Sequence, residues 1–128
     1  MPEPPLNRRI AEKRGRAAET LACWWLRLRG WRILARRARV PGGEVDIVAR
    51  RGRTLAFVEV KARASIDSSE WSLDAWRLRR VAVAAERLAP RYMRAGDDIR
   101  IDAMFIVPRR LPRHLPNVWQ GDKAGPLA

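Results

Sequence analysis

Between Asn7 and Leu28 the apolar residues Ile10, Ala17, Leu21, Trp24, Trp25 and Leu28 recur at spacings of three, four and seven. That period is helical. Asn7 can cap the start, and Gly30 marks the stop. Beyond Gly30 the period shifts toward two. Trp31, Ile33 and Ala35 alternate with Arg32, Leu34 and Arg36, which predicts a strand over 31–39. Pro41-Gly42-Gly43 is a turn, EVDIVA a second strand, RRGR a hairpin turn around Gly52, and TLAFVEVKAR a longer strand. So short a turn makes the last two strands antiparallel neighbours. Residues 64–71 (ASIDSSEW) are polar and loop-like. The chain is helical again from Leu73 to Leu88, ending before Pro90. DIRIDAMFIV, 98–107, is a further β-rich run that Pro108 stops, and a short last strand is expected near Asn117 to Trp119. This order of helix, three strands, helix, strand and tail predicts a single α/β domain with a mixed sheet flanked by helices. The β-branched runs exclude a purely helical protein.

Charges interrupt two of these strands. Side chains alternate across a strand, so Glu44 and Asp46 share one face and Val45 and Ile47 the other. In the next strand Leu55, Phe57, Glu59 and Lys61 share a face opposite Val58 and Val60. A count about residues 51 and 52 pairs Asp46 with 57 or 58, so a register shift or bulge is needed to bring it level with Glu59. Two carboxylates brought together repel unless a cation lies between them. Their hard oxygens suit Mg²⁺ or Mn²⁺, which can activate water and bind a phosphate oxygen. A lysine alongside can orient or deprotonate that water and offset charge growing on phosphorus. The competing reading is a structural ion pair at a strand end.

Composition favours the chemical reading. Lys and Arg number 27 against 14 acids, a net charge of +13 in 128 residues. Nearly all the cations are Arg, whose planar fork suits phosphate. GC-rich coding can explain Arg in place of Lys, but not the excess over acids. The field favours nucleic acid, and less so an anionic membrane surface. Arg16, Arg39, Arg63, Arg77 and Arg80 are the candidate phosphate contacts. Arg77, Arg79 and Arg80 spread around their helix rather than line one face. The single cysteine, Cys23, excludes an internal disulfide and a thiolate metal site, and reads as a buried thiol. No apolar run approaches a membrane span, and MPEPPLNRR lacks an apolar signal region, so the expected location is the cytoplasm. The six tryptophans are read as mostly core, Asp102 as ordering its surroundings, and His114 as a satisfied or exposed histidine.

The pair GEVDIV and FVEVKAR, separated by a hairpin, resembles the PD-(D/E)xK nuclease superfamily. From about Arg14 to Trp119 the chain resembles the YraN-like family of nuclease-like proteins, similar to archaeal Holliday-junction resolvases. RGRAAE around Glu19, GWRIL, the helix with Arg77, RIDAMFIV and HLPNVW extend the likeness. It implies a restriction-endonuclease-like domain over 14–119, a loose lead over 1–13 and a flexible tail over 120–128. It implies Asp46 and Glu59 as metal ligands, the Val60 carbonyl as a third, Lys61 as the signature lysine and Glu19 as an additional acid. Mg²⁺ or Mn²⁺ would be the cofactor and DNA the partner, with a homodimer expected by analogy. Val45 stands where the motif's proline would be, Ala18 where the family tends to have glycine, and SIDSSEW lacks the family's usual glycine. The implied activity is endonucleolytic cleavage of structured or branched DNA. Two alternatives stay open: a nucleic-acid-binding module on the same fold with little turnover, and a basic ribosome-associated protein indifferent to Asp46 and Glu59.

Overall fold

The computed structural model describes residues 6–64 and 74–119, with residues 6–14 as helix backbone. A first helix, α1 (Leu6–Leu28), leads into three consecutive strands, β1 (Arg32–Val40), β2 (Gly43–Arg51) and β3 (Thr54–Ala62). A second helix, α2 (Ala75–Tyr92), precedes β4 (Asp98–Ile106) and a three-residue β5 (Arg113–Leu115). The sheet has five strands in the order β1-β2-β3-β4-β5, antiparallel except where β4 runs parallel to β3. The mixed α/β architecture is therefore the expected one. Asn7 falls inside α1, which begins at Leu6, and so does not cap its start as expected; the loop beyond Ala64 and the tail from Gln120 lie outside what is described.

Local chemistry explains the joints. Pro41 and Gly42 close β1 onto β2, with Gly42 at φ +82°, a conformation that glycine reaches without strain. Gly43 is required for another reason: a Cβ there would lie 2.5 Å from the Arg80 carbonyl oxygen and 2.8 Å from the Ala84 nitrogen. The entry of β2 is thus pressed directly against the backbone of α2. Asp74 caps α2 by accepting a hydrogen bond from Trp76 N at 2.9 Å. The helix continues through Pro90 to Tyr92 instead of stopping before it. Pro90 falls in the last turn, where its missing N–H removes one bond, and Met93 N still donates to Ala89 O at 2.7 Å. The last strand lies at Arg113–Leu115, not at Asn117–Trp119, because Asn117 turns into the left-handed region (φ 56°) and its N–H goes to a side chain.

Helices cover both faces of the sheet. Leu78, Val81, Ala84 and Leu88 of α2 pack with Val45, Val48, Leu55, Phe57, Ile101 and Phe105. On the other face Ala18, Ala22, Cys23 and Leu26 of α1 pack with Ile47, Ala49, Ala56, Val58 and Met104. The buried stripe of α1 is therefore not the expected one, since Leu21, Trp24 (59 % exposed) and Leu28 (78 %) face outward. Small residues let the helix backbone approach the sheet, and the bulky ones would hold it off. For the same reason the tryptophans are not mostly core. Trp31 is buried, Trp25 and Trp119 are half-buried, Trp24 and Trp76 are exposed, and Trp71 is outside the described residues.

Candidate active site

Asp46 and Glu59 meet without any bulge. The β2–β3 ladder pairs Arg51 with Thr54 and Ile47 with Val58, so the turn is Gly52–Arg53, one residue later than the count used above. Continuing that register puts Asp46 opposite Glu59. The ladder itself ends at Ile47 and Val58, and the Asp46 side chain takes over: its Oδ2 accepts the Val60 N–H at 2.7 Å. The neighbouring strand is irregular at the same level, where Arg37 adopts φ 51°. Strict alternation also fails here. Val45 joins the α2 cluster and Ile47 the α1 cluster, contrary to the shared face expected of them.

Each carboxylate is held in a different way. Glu59 is 2 % exposed and faces α2, whose Arg77 reaches it with Nη2 at 3.3 Å from Oε1 and Nε at 3.4 Å from Oε2. Arg77 itself is 40 % exposed at its side chain and so lies between Glu59 and solvent. Asp46 is pushed up to about 8, first by burial, then by its hydrogen bond to Glu59 and by that group's charge. The Val60 N–H works in the opposite direction. At neutral pH the pair thus holds a proton between two acids that cannot both ionise. Lys61, 8 % exposed, has its ammonium pushed down by burial, while Glu59 and Asp46 favour its charged form.

Glu19 comes to the same region from α1. Its Oε1 accepts from Arg37 Nε at 2.8 Å, and its charge is felt at Asp46. Glu19 is thus an ion-paired, mostly buried acid whose charge reaches the Asp46–Glu59 pair. Arg36 and Thr20 make the adjoining contact between α1 and β1, at 3.1 Å. Among the described residues no three of His, Cys, Asp and Glu form a metal cage. The donor set here is two carboxylates and backbone.

The five candidate phosphate-contact arginines divide. Arg77 and Arg63 act on Lys61, and Arg39 lies 3.5 Å from Glu44, whose charge also reaches Arg77. Arg80 stacks on Trp76 with Cζ 5.2 Å from the ring centre, one turn from Arg77, and Arg16 is exposed on α1. Asp102 orders its surroundings as expected. It is fully buried, binds Arg100 Nη2 at 2.8 Å and His114 Nε2 at 2.7 Å, and accepts from Asn117 N at 2.8 Å. Burial works against its ionised form, and these partners, His114 and Arg100 foremost, overcome that and hold its carboxyl below the usual range. Cys23 is buried, and burial pushes its thiol up, away from a reactive thiolate.

Two contacts had no sequence signal. Arg37 looked like an ordinary strand arginine. Arg50 and Asp97 form a buried fork-to-carboxylate pair at 2.9 and 2.6 Å across 47 residues of sequence.

Residues 18–106, the sheet core together with both carboxylate strands, match the model of the uncharacterised protein family UPF0102. The chain belongs to that family. A UPF0102 protein of Sphingopyxis alaskensis is 63 % identical over 115 residues, covering 90 % of this chain and 99 % of that one. One from Rhizorhabdus wittichii is 55 % identical over 117 residues, covering 91 % and 99 %. Among solved structures, this UPF0102 chain is similar to Archaeoglobus fulgidus Hjc, a Holliday junction resolvase from an archaeal hyperthermophile. The TM-score is 0.57 at 24 % identity, covering 77 % of this chain and 72 % of that one. The likeness establishes the restriction-endonuclease-like fold. No helix among the described residues is long and apolar enough to cross a membrane.

Proposed function

We propose that this UPF0102 protein is a divalent-metal-dependent endonuclease that hydrolyses phosphodiester bonds in structured or branched DNA. One observation carries the reading: Asp46 and Glu59, both largely withdrawn from solvent, are pressed into one hydrogen-bonded pair beside Lys61. As a piece of scaffold this arrangement is unfavourable, because it needs a bound proton at neutral pH. As half of a cation site it makes sense, since Mg²⁺ or Mn²⁺ would take the proton's place against hard oxygen donors. Asp46, Glu59 and the Val60 carbonyl would hold the ion, and Glu19 would adjust the field. Once bound, such an ion supplies charge neutralisation at phosphate and a more acidic water.

The chain's own groups do the rest. Lys61 presents an ammonium next to both acids, where it can orient the attacking water and offset charge on phosphorus. Arg77 can exchange Glu59 for a phosphate oxygen, since its contacts at 3.3 and 3.4 Å are long for a charged pair. Arg39, Arg63, Arg80 and Arg16 extend the cationic surface around that point. A homodimer would place two such centres for symmetrical cutting.

The second reading, a binding module with little turnover, has its own support: Arg77 and Arg37 already engage Glu59 and Glu19. A cleavage panel separates the two. Labelled single-stranded, duplex, flap and four-way DNA is incubated with Mg²⁺, Mn²⁺ or EDTA. The nuclease reading requires metal-dependent products on a branched substrate, abolished by Glu59→Gln with binding retained. Tight binding of every substrate with no product under any metal would establish the binding module instead.

A further inference from the structure

The acids at the Asp46–Glu59 end of the sheet are already engaged. Glu19 has Arg37 at 2.8 Å, Glu44 has Arg39 at 3.5 Å, and Asp46 Oδ2 has the Val60 N–H at 2.7 Å. Glu59 is engaged most completely. Arg77 takes both of its oxygens, with Nη2 on Oε1 and Nε on Oε2. A cation that is to use Glu59 as a ligand must therefore displace a guanidinium.

Arg77 is poised to leave. Two other buried carboxylates in the protein are held by arginine, and both contacts are shorter. Arg50 grips Asp97 at 2.6 and 2.9 Å, and Arg100 reaches Asp102 at 2.8 Å. Arg77 stands 3.3 and 3.4 Å from Glu59, beyond the roughly 2.7–2.9 Å of a strong charged N–H to carboxylate bond. Arg50 is 8 % exposed at its side chain, whereas Arg77 is 40 % exposed, so its outer side is open to a phosphate. It lies in the first turn of α2, one turn from Arg80. A planar fork fits a phosphate as well as it fits a carboxylate.

We propose that Arg77 is an internal counter-ion that holds down the metal affinity of the Asp46–Glu59 centre, and that a nucleic-acid phosphate raises this affinity by drawing the guanidinium off Glu59. The inference rests on the metal-dependent reading of that centre and adds a coupling to it. Such a coupling is reciprocal. Phosphate on Arg77 uncovers Glu59 for the ion, and a Glu59 occupied by metal leaves Arg77 to the backbone. The free protein then needs more metal than the complex for the same occupancy. Arg77 acts here as a positioning residue, through Glu59.

Calorimetric titration of the full chain with Mn²⁺, free of nucleic acid, compares the parent with Arg77→Gln and Arg80→Gln. The second variant removes the same charge one turn away, from a guanidinium that lies against Trp76. Arg77→Gln should bind Mn²⁺ about tenfold more tightly than the parent, and Arg80→Gln within about twofold of it. A short duplex should raise the parent's Mn²⁺ affinity by more than it raises that of Arg77→Gln. Equal affinities of parent and Arg77→Gln, equal gains in the two variants, or equal gains from duplex overturn the inference and leave the metal-dependent reading intact. No Mn²⁺ uptake by any of them, with or without duplex, refutes that reading and this inference with it. In EDTA, anisotropy of a fluorescent duplex across salt should show a log–log slope lower by about 0.9 for Arg77→Gln, one phosphate contact. A merely structural Arg77 predicts earlier melting with metal affinity and slope unchanged, and that result overturns the inference. If Arg77→Gln does not fold, the parent decides by the Arg77 Nε–H resonance. It should move when duplex is added in EDTA, and stay in place with Mg²⁺ alone at the concentration that loads the complex. Movement with Mg²⁺ alone, or none with duplex, overturns the inference.

Discussion

Asp46→Asn should stabilise the metal-free protein, by an amount that grows with pH. The Asp46 carboxyl sits opposite Glu59 with its Oδ2 on the Val60 N–H at 2.7 Å, and is pushed up to about 8 from an ordinary 3.8. The folded state therefore retains a proton that the unfolded chain releases between these values. Stability is full below about pH 4, declines as pH rises and levels off above about pH 8. A four-unit gap at 1.36 kcal/mol per unit bounds the loss at about 5–6 kcal/mol. Arg77 and Lys61 share the field, so about 2–4 kcal/mol is the expected size. Asparagine is nearly isosteric, keeps an oxygen for Val60 and offers an N–H to Glu59. Its stability should be flat over the same range and exceed the parent's at pH 8, by roughly 6–15 °C in Tm. Scanning calorimetry in EDTA at several pH values from 4.5 to 8.5 measures this directly. Adding Mn²⁺ should raise the parent's Tm at pH 8 and leave Asp46→Asn nearly unmoved, because the ion replaces the proton. A variant whose pH slope parallels the parent's, or that melts lower at pH 8, would refute the shared-proton description of the pair.

Other outcomes are expected of neighbouring residues. Lys61→Ala should cut turnover by roughly 10²–10⁴ while calorimetric Mn²⁺ binding stays close to the parent's; early melting with normal cutting by the folded fraction would instead make Lys61 part of the scaffold. Asp97, held down to about 2 by Arg50 and by the Arg94 N–H, contributes stability present above about pH 4 and lost as pH falls through 2. Asp97→Asn should consequently melt lower at pH 7 and lose most of the acid sensitivity between pH 4 and 2, as followed by circular dichroism. Asp102→Asn leaves Arg100 and His114 less well paired in a buried setting and should lower stability by about 1–3 kcal/mol in urea unfolding, without changing the salt slope of DNA binding. An unchanged urea midpoint would show that Asp102 does not organise the β4–β5 edge.

The sequence by itself determined the two helices and the first four strands in their order, the antiparallel hairpin, and which residues make up the acid–acid–lysine set, but it misplaced the last strand. These depend on local period, on turn residues and on a motif confined to two adjacent strands. It also identified Cys23 as buried and Asp102 as organising, because both sit among apolar neighbours in their own segments. Only the tertiary structure decided the rest. Whether Asp46 stands level with Glu59 depends on a one-residue choice of turn, Gly52–Arg53, that composition does not distinguish from its neighbour. Which side of α1 is buried depends on how closely the sheet lets a helix approach, and Ala18 and Ala22 allow what Leu21 and Trp24 do not. The helix period alone is compatible with either stripe. The Arg50–Asp97 pair joins distant segments, so no window of sequence contains it. Charge balance counts arginines, but the sheet determines which of them face a carboxylate, as Arg77 and Arg100 do, and which lie against an indole, as Arg51 does.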